Sequence, residues 1–490
     1  MRPKLEWAES WLKSPKSLYL GGEWVKGQTL YESENPYTQK AIAQLTDASE
    51  SEVDQAVQCA RKALKGPWAT VSRRERAEIL RKLGQLVRKN QEELATLESL
   101  DNGKTFEEAL YGDLPDSADI FDYYAGWTDK YYAENCPVEA GFVNYTVHEP
   151  IGVCGLIVPW NFPLLLAQWK LAPALSMGNT AIVKPAPFTS LSYIRFVELV
   201  HESGLLPPGV LNLVTGDVRA GKAIADHPGI DKVSFTGSTA VGKQIVQSSG
   251  RSNLKQVTLE LGGKAPNIIF SDTPDLEKVI ERSFALMFSQ KGEKCTEPTR
   301  FLIQNTIKEK VAQRLTEMAE AVRCGNPLEA GTQQGPQCHR AHQERVLAYI
   351  ESGKKGGAKL LCGGGPDAGQ RSGYFVRPTI FGDVDNRSKI AQEEIFGPVL
   401  CLIRFETETE AVEMANDSPY GLAAGVYTAD LSRAHRIAAA LEAGMVFVNH
   451  YGCYHFASPF GGIKQSGWGR EMGVHSLSEY TRLKSIWIKH

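Results

Sequence analysis

The sequence predicts an α/β fold built on a mostly parallel sheet. Short apolar runs of strand length alternate with longer segments in which apolar residues recur at helical spacing. Strands that alternate with helices in this way are typical of βαβ units, whose crossover helices pack on the sheet. A chain of 490 residues is long enough for two or three such domains, each with its own core.

The first half of the chain shows this alternation most clearly. Four short apolar runs predict buried strands, at residues 151–158, 180–183, 210–214 and 232–235. Helical spacing predicts helices at residues 73–100, at residues 192–201 and from about residue 239. These elements belong together in one parallel sheet with helices on its faces.

A second α/β block is predicted from about residue 263 to residue 461. It has its own helical segments at residues 308–322 and 408–416. Two extended segments, residues 141–148 and 483–490, stand apart from both blocks and are rich in β-branched and aromatic residues. We expect these segments to pair with each other or with another subunit.

Composition excludes several functional classes. A net charge of −3 gives no basic face for nucleic acid, and no apolar run reaches the roughly 20 residues that a membrane helix needs. The nine cysteines are scattered and odd in number, without a CxxC pair, which argues against a disulfide framework or a zinc site. We therefore expect a cytoplasmic protein without nucleic-acid, membrane or metal partners.

One cysteine stands out because of a distant carboxylate. Cys295 is 35 positions after Glu260, so the two side chains can meet only through the fold. A nucleophile paired with a general base suits chemistry on a carbonyl group. Considered alone, the pair is equally compatible with a thiol protease, a transferase or no site at all.

Other segments are ambiguous one by one. Ser238 lies at a predicted strand-to-helix turn, where free N–H groups can hold a phosphate, although no GxGxxG motif is present. Asn161 lies between Pro159 and Pro163. Its side chain either donates a hydrogen bond to an oxyanion or caps a stiff loop. Lys184 ends a predicted strand and faces either a ligand crevice or solvent.

In their order and spacing, these segments resemble the aldehyde dehydrogenase superfamily over nearly the whole chain. The matching segments are residues 100–104, 123–127, 159–163, 183–185, 235–242, 259–263, 292–295 with Arg300, 393–398, 418–422 and 458–467. The resemblance implies an NAD(P)-dependent enzyme of the hydrolytic, non-acylating type, which oxidises an aldehyde to a carboxylic acid.

The resemblance also implies a domain organisation. A Rossmann-like, parallel-sheet cofactor domain would comprise residues 1–131 and 151–262, and an α/β catalytic domain would comprise residues 263–462. Residues 132–150 and 463–490 would form a small β oligomerisation domain, so that the protein is a homodimer or a homotetramer.

The resemblance assigns catalytic roles to five residues. Cys295 would attack the aldehyde to form a thiohemiacetal, whose oxyanion would be held by Asn161 and by the backbone N–H of Cys295. Glu260 would activate the water that hydrolyses the later thioester. Lys170 and Glu471 would relay the proton outward, unless they are simply an exposed lysine and a solvated glutamate.

Further positions match the family's cofactor and substrate residues. Ser238 would hold the pyrophosphate, Lys184 the adenine-side ribose and Glu394 the nicotinamide ribose. The full cofactor set is Trp160, Lys184, Gly237, Ser238, Leu261, Glu394 and Phe396. The substrate funnel would be lined by Phe162, Trp169, Tyr454 and Phe460.

The chain departs from the family pattern at some positions. Pro187 stands where many NAD-preferring members have a glutamate, so NAD is expected and NADP is possible. Lys291 and Lys294 lie close to Cys295, and they either lower the pKa of the thiol or point to solvent. The loop at residues 449–456 has no acid, which favours an apolar or aromatic aldehyde over a cationic one.

Alternative functions differ in the fate of the acyl group. An enzyme that passes the acyl group to coenzyme A or to phosphate would not need Glu260 as a hydrolytic base. A non-catalytic scaffold with this fold could lack Cys295, Glu260 or Asn161, yet all three are present. The sequence therefore favours transfer of the acyl group to water.

Overall fold

The computed structural model describes all 490 residues, Met1–His490. Its strands, in chain order, are β1 (Leu18–Leu20), β2 (Glu23–Val25), β3 (Leu30–Asn35), β4 (Lys40–Thr46), β5 (Asn135–Cys136), β6 (Phe142–Pro150), β7 (Val153–Ile157), β8 (Thr180–Lys184), β9 (Leu211–Leu213), β10 (Lys232–Thr236), β11 (Gln256–Glu260), β12 (Pro266–Ile269), β13 (Arg300–Gln304), β14 (Lys359–Cys362), β15 (Thr379–Gly382), β16 (Val399–Phe405), β17 (Tyr420–Gly421), β18 (Ala423–Tyr427), β19 (Met445–Val448), β20 (Ile463–Lys464), β21 (Gly467–Trp468) and β22 (Thr481–Lys489).

The helices connect and cover these strands. They are α1 (Leu5–Leu12), α2 (Glu50–Leu64), α3 (Arg73–Lys89), α4 (Gln91–Asn102), α5 (Phe106–Glu108), α6 (Leu114–Ala125), α7 (Pro163–Ser176), α8 (Leu191–Ser203), α9 (Val218–Asp226), α10 (Thr239–Arg251), α11 (Leu276–Phe288), α12 (Lys308–Glu320), α13 (Arg340–Lys355), α14 (Lys389–Gln392), α15 (Glu408–Asn416) and α16 (Leu431–Ala440). None of them combines the length and apolar character that crossing a lipid bilayer requires.

Two large sheets form the framework. In the first sheet, β9, β8, β7, β10 and β11 are parallel neighbours, with antiparallel β1 and β21 on the two flanks. The second sheet has the order β14-β15-β16-β13-β12-β18-β19, in which only the β14 edge is antiparallel. The predicted α/β class with parallel, Rossmann-like sheets is thereby confirmed. The predicted domain boundaries stay a prediction.

The parallel order of the first sheet places three site residues at one edge. The parallel strands β8, β10 and β11 end at Lys184, Thr236 and Glu260, at or next to the carboxyl end of the sheet. All five residues of β7, β8 and β10 are buried, as the continuous apolar runs predict. Helix α7 is buried along its whole length, so Lys170 on this helix lies inside the protein.

The prediction of a single helix over residues 73–100 is wrong. Two helices meet at Asn90, whose side-chain Nδ2 donates to the Leu86 carbonyl at 2.8 Å. An asparagine that binds a helix carbonyl competes with continuation of the helix, although the apolar spacing continues past it. The break turns α4 inward, so that most of its faces are buried.

The two extended segments pair with each other. Strands β6 and β22 are antiparallel, with Phe142 opposite Lys489 and Pro150 opposite Thr481. Strand β5 adds to the other side of β6, which completes a three-stranded sheet separate from the two large ones. Of the two alternatives left open by the sequence, pairing within the chain is therefore observed.

Candidate active site

Cys295 lies in the loop between α11 and β13, where the chain passes between the two large sheets. The loop starts with three successive left-handed residues, Gln290, Lys291 and Gly292, with φ values of 50°, 61° and 72°. A Cβ on Gly263 would overlap the carbonyl oxygen of Cys295. Because residue 263 has no side chain, the backbone at the end of the first sheet can pack directly against the loop.

The thiol of Cys295 is partly accessible from a cavity of about 220 Å³. Burial raises the pKa of this thiol above its usual value, and the carboxylates of Glu394 and Glu260 raise it further. The neutral thiol is therefore the main form of the free protein at neutral pH.

Glu260 is the last residue of β11 and is only 2% exposed. Neither of its carboxylate oxygens has a hydrogen-bond partner. Burial raises the pKa of this carboxyl well above its usual range, and the nearby Glu471 carboxylate raises it further. The raised pKa makes its carboxylate form a stronger base than a solvated carboxylate, which suits it to accept a proton from a bound molecule.

Asn161 borders the same cavity as the thiol. Its Nδ2 donates to the Glu293 carbonyl at 2.9 Å, which uses one of the two N–H bonds of the amide. The backbone N–H of Cys295 donates to no backbone carbonyl. Two N–H groups near the thiol are thus available to an oxygen atom that enters the cavity.

Lys170 and Glu471 form an ion pair deep inside the protein. The Lys170 Nζ also donates to Thr236 Oγ1 at 2.6 Å, and both charged side chains are buried. The alternative of an exposed lysine and a solvated glutamate is therefore wrong. The pair lies next to Glu260, since the charges of both residues affect the pKa of the Glu260 carboxyl.

Most of the predicted cofactor residues line the cavity beside Cys295. The lining includes Trp160, Gly237, Ser238, Leu261, Glu394 and Phe396. Ser238 precedes α10, and its hydroxyl accepts from the Val241 N–H at 3.4 Å. The N-terminus of α10 therefore opens into the cavity with N–H groups that can hold a phosphate.

Two charged residues complete the predicted cofactor set. Glu394 accepts from the Gly263 N–H at 3.0 Å, and its removal from water raises the pKa of its carboxyl to about 7. Lys184 is not part of the cavity lining. Its Nζ donates only to the Pro185 carbonyl at 3.1 Å, and burial lowers its pKa to about 8. A buried ammonium without an anionic partner in contact favours an anionic or hydroxyl-rich ligand.

The predicted substrate aromatics form a separate group. Phe460 contacts Trp169 edge-on at 5.1 Å and Tyr454 at 5.7 Å between ring centroids. Tyr454 and Phe460 line a second cavity of about 230 Å³ that has no carboxylate in its wall. Phe162 packs against the same hydrophobic core as Trp169 and Phe460, and its ring lies 4.7 Å from the Lys104 Nζ. Three of the four aromatics are therefore in ring contact with one another, and Phe162 is not.

The interpretation that Lys291 and Lys294 point to solvent is wrong. Lys291 is inaccessible to solvent and is paired with Glu293 at 2.8 Å, while Lys294 is largely buried and is paired with Glu297 at 3.2 Å. Neither lysine is among the causes of the thiol pKa shift, which is upward. Their buried partners hold both side chains inside the protein.

Sequence reasoning missed four cavity residues on or beside α13, three of them polar and the fourth Ala341. His339 accepts from the His342 N–H as the cap of this helix, and His342 lies 2.7 Å from the Phe396 carbonyl. Arg345 donates to the Glu394 carbonyl at 2.8 Å. All three line the cavity beside Cys295. Their spacing of three along one helix face is the only signal that could have identified them.

Comparisons with known proteins agree on one family. Residues 24–486 match the aldehyde dehydrogenase family. Human mitochondrial aldehyde dehydrogenase is 45% identical over 478 residues, which cover 96% of this chain and 92% of the human protein. An NAD+ complex of aldehyde dehydrogenase from Bacillus cereus has a TM-score of 0.96 at 44% identity, with 100% of this chain and 99% of that chain covered.

A further solved structure is similar in fold. Indole-3-acetaldehyde dehydrogenase from P. syringae, in complex with NAD+ and IAA, has a TM-score of 0.96 at 40% identity and covers 99% of each chain. The three proteins extend over nearly the whole of this chain, so the similarity includes both large sheets and the cavity between them.

The raised pKa of the thiol gives a testable pH dependence. Alkylation of Cys295 by iodoacetamide requires the thiolate, so its rate in the free protein should still rise above pH 9. Replacing Glu394 with Gln should increase the rate at pH 8, because this carboxyl has a pKa of about 7 and is mostly charged at pH 8. The rates are measured by mass spectrometry of the Cys295 peptide.

The matched control is Glu393→Gln, which changes the neighbour of Glu394 in the chain and should leave the rate unchanged. A rate that reaches its plateau near pH 7 would contradict the raised pKa of Cys295.

Proposed function

Since this chain belongs to the aldehyde dehydrogenase family, we propose that it oxidises its aldehyde through a covalent bond to Cys295. Enzymes of this family are NAD(P)-dependent, and NAD is the cofactor of this chain. The supporting observation is that Cys295 and Asn161 border one cavity, with the unpartnered carboxyl of Glu260 close by.

In the first step, the Cys295 sulfur attacks the aldehyde carbon and forms a thiohemiacetal. Because the pKa of the thiol is raised, the sulfur passes its proton to a solvent water only as the C–S bond forms, and the C=O electron pair moves to the oxygen. The second N–H of Asn161 and the backbone N–H of Cys295 then donate to the oxyanion. Loss of one such donor typically costs about 10²–10³ in rate.

The residues of the cavity fit a dinucleotide. Ser238 and the start of α10 would hold the pyrophosphate, Glu394 the nicotinamide ribose and Lys184 the adenine-side ribose. Trp160, Gly237, Leu261 and Phe396 would form the walls. NAD+ bound there would supply the hydride acceptor that the oxidation of the Cys295 adduct to a thioester requires.

Glu260 acts after this oxidation. Its carboxylate takes a proton from the water that attacks the thioester, and the carboxylic acid is released. Lys170 and Glu471 pass the proton onward, because their buried ion pair lies next to Glu260. A water-activating base at this position favours hydrolysis over transfer to coenzyme A or phosphate.

The proposed substrate is an apolar or aromatic aldehyde. Trp169, Tyr454 and Phe460 form an aromatic cluster, and the cavity beside it has no carboxylate to bind a cation. The similar enzyme from P. syringae is an indole-3-acetaldehyde dehydrogenase, which supports an aromatic side chain.

The proposed assembly is a homodimer or homotetramer in the cytoplasm. Trp487 and Ile488 on β22 are 58% and 48% exposed, which is unfavourable for apolar side chains unless another subunit covers them. All nine cysteines are free thiols, as expected in a reducing compartment. A monomeric mass in solution at micromolar concentration would contradict the oligomer.

Two substitutions test the proposed chemistry. Cys295→Ser should reduce NADH formation below about one thousandth of the parent rate, because the nucleophile is lost. Glu260→Gln should reduce steady turnover by about 10²-fold or more while a first burst of NADH is kept, because only the later hydrolysis needs the base. Both are measured by absorbance of NADH in stopped-flow experiments.

Cys136→Ser is the matched control for the thiol and should keep full activity, since Cys136 lies on β5 in the small sheet. The hydrolytic mechanism would be wrong if turnover required coenzyme A or phosphate. The nucleophile would be wrong if Cys295→Ser kept normal activity.

Cofactor discrimination should be weak. Pro187 cannot repel a 2′-phosphate, and the carboxylates of Asp217 and Asp47 that act on Lys184 are both paired with Arg219. We expect kcat/KM for NAD to exceed that for NADP by less than about 10³, which is roughly 4 kcal/mol. Pro187→Glu should raise the ratio and Pro187→Gln, its neutral control, should not. A larger ratio in the parent enzyme would refute this.

A substrate panel tests the aromatic cluster. We expect kcat/KM at least about tenfold higher for a phenyl-substituted aldehyde than for betaine aldehyde, because the cavity wall has apolar rings and no acid. A preference for betaine aldehyde would show that the aromatic faces bind a quaternary ammonium instead.

A further inference from the structure

A closed set of buried polar contacts surrounds the loop that precedes Cys295. Gln290 and Lys291 both have left-handed backbone conformations, which are unfavourable for residues with a Cβ. Two such residues in succession persist only where neighbouring contacts hold them. Both side chains are buried, so these contacts lie inside the protein.

Lys291 has contacts for its whole ammonium group. Its Nζ lies 2.8 Å from the carbonyl oxygen of Asn102, 2.9 Å from the Asn102 Oδ1 and 2.8 Å from the Glu293 carboxylate. Two of these contacts are hydrogen bonds to Asn102 and the third is an ion pair with Glu293. The side chain is therefore fixed in one orientation.

Glu293 connects Lys291 to the predicted oxyanion donor. Its carboxylate pairs with Lys291 and also accepts from the Cys338 N–H at 3.1 Å. Its main-chain carbonyl accepts from the Asn161 Nδ2 at 2.9 Å. One carboxylate oxygen is held by a hydrogen bond and the other by the ion pair, and these contacts restrain the residue whose carbonyl orients the Asn161 amide.

Asn102 connects Lys291 to the residue on the other side of Asn161. Its Nδ2 donates to the Trp160 carbonyl at 2.7 Å, in the residue that precedes Asn161. Lys291 therefore contacts one partner on each side of Asn161. Neither contact involves the thiol, so Lys291 has no direct part in the chemistry.

We propose that Lys291 is a positioning residue that acts through Glu293 and Asn102 to aim the free N–H of Asn161 at the oxyanion on Cys295. This role rests on the proposed function, in which Asn161 stabilises the thiohemiacetal. Lys291 fulfils this role through its buried contacts with Glu293 and Asn102, and not through an effect of its charge on the thiol.

A double-mutant cycle with Asn161 tests this role. Lys291→Met should lower kcat by about 10–100-fold, with the KM values for aldehyde and NAD changed less than threefold, because a misdirected donor weakens the transition state alone. In an Asn161→Ala background, Lys291→Met should change kcat less than about twofold, since the group it positions is absent. Steady-state kinetics of purified enzyme give all four values.

Lys294→Met is the matched control. Lys294 is in the same loop and is also paired with a buried glutamate, but its Nζ donates to the Leu286 carbonyl and to Ser289, away from Asn161. Lys294→Met should therefore change kcat by the same factor in the parent enzyme and in the Asn161→Ala background. A cycle that couples Lys294 as strongly as Lys291 would overturn the proposal.

The double variant Lys291→Met/Glu293→Gln guards against misfolding, because it removes both buried charges and leaves neither unpaired. It should fold and still have the lowered kcat. A parent-like kcat in either Lys291 variant, or an undiminished effect of Lys291→Met in the Asn161→Ala background, would overturn the proposal. A normal kcat for Asn161→Ala alone would instead refute the oxyanion role within the proposed function.

Discussion

The close crossing of the backbone at Gly263 and Cys295 is the constraint on which the site depends. A side chain at residue 263 would overlap the Cys295 carbonyl, and one at Gly292 would overlap the backbone at Gly397. These crossings let the end of the first sheet, with Glu260, lie against a loop that leads into the second sheet. A thiol and a carboxyl group 35 positions apart therefore lie close enough for the Glu260 charge to raise the pKa of the Cys295 thiol. The parallel strand order is needed as well, because it places the ends of β8, β10 and β11 at one edge of the sheet.

Burial shifts the pKa values of the acidic groups in the site in one direction. Removal from water raises the pKa of Cys295, Glu260 and Glu394, so these groups hold their protons more strongly than they would in solvent. The cations nearby do not reverse this shift at Cys295, because Lys291 and Lys294 are bound to their own carboxylates. A buried carboxyl with unpartnered oxygens is unfavourable for folding, and such a group is typical of a functional site. The left-handed turn before Cys295 is a second unfavourable feature in the same place.

The sequence predicted four of the five parallel strands of the first sheet because each of the four is a short, continuous apolar run; β10 and α15 match the expected segments closely. It could not predict the helix break at Asn90, since the apolar spacing is uninterrupted and only a side-chain hydrogen bond ends α3. The cysteine, the acid and the amide were identifiable because each lies in an ordered motif. The positions of Lys291 and Lys294 were not, because the contacts that hold them, with Asn102 and Glu297, form only in the folded chain. His342 and Arg345 were missed for the same reason, since α13 reaches the cavity from the second block.

The central claim is that Cys295 holds the acyl group that Glu260 later helps to release. The most direct test is peptide mass spectrometry of Glu260→Gln after brief reaction with aldehyde and NAD+ and an acid quench. The Cys295 peptide should increase in mass by the acyl group of the aldehyde, to nearly one equivalent per subunit, and hydroxylamine should remove this mass. Absence of the adduct from Cys295 while NADH forms, or its presence on another residue, would contradict the account.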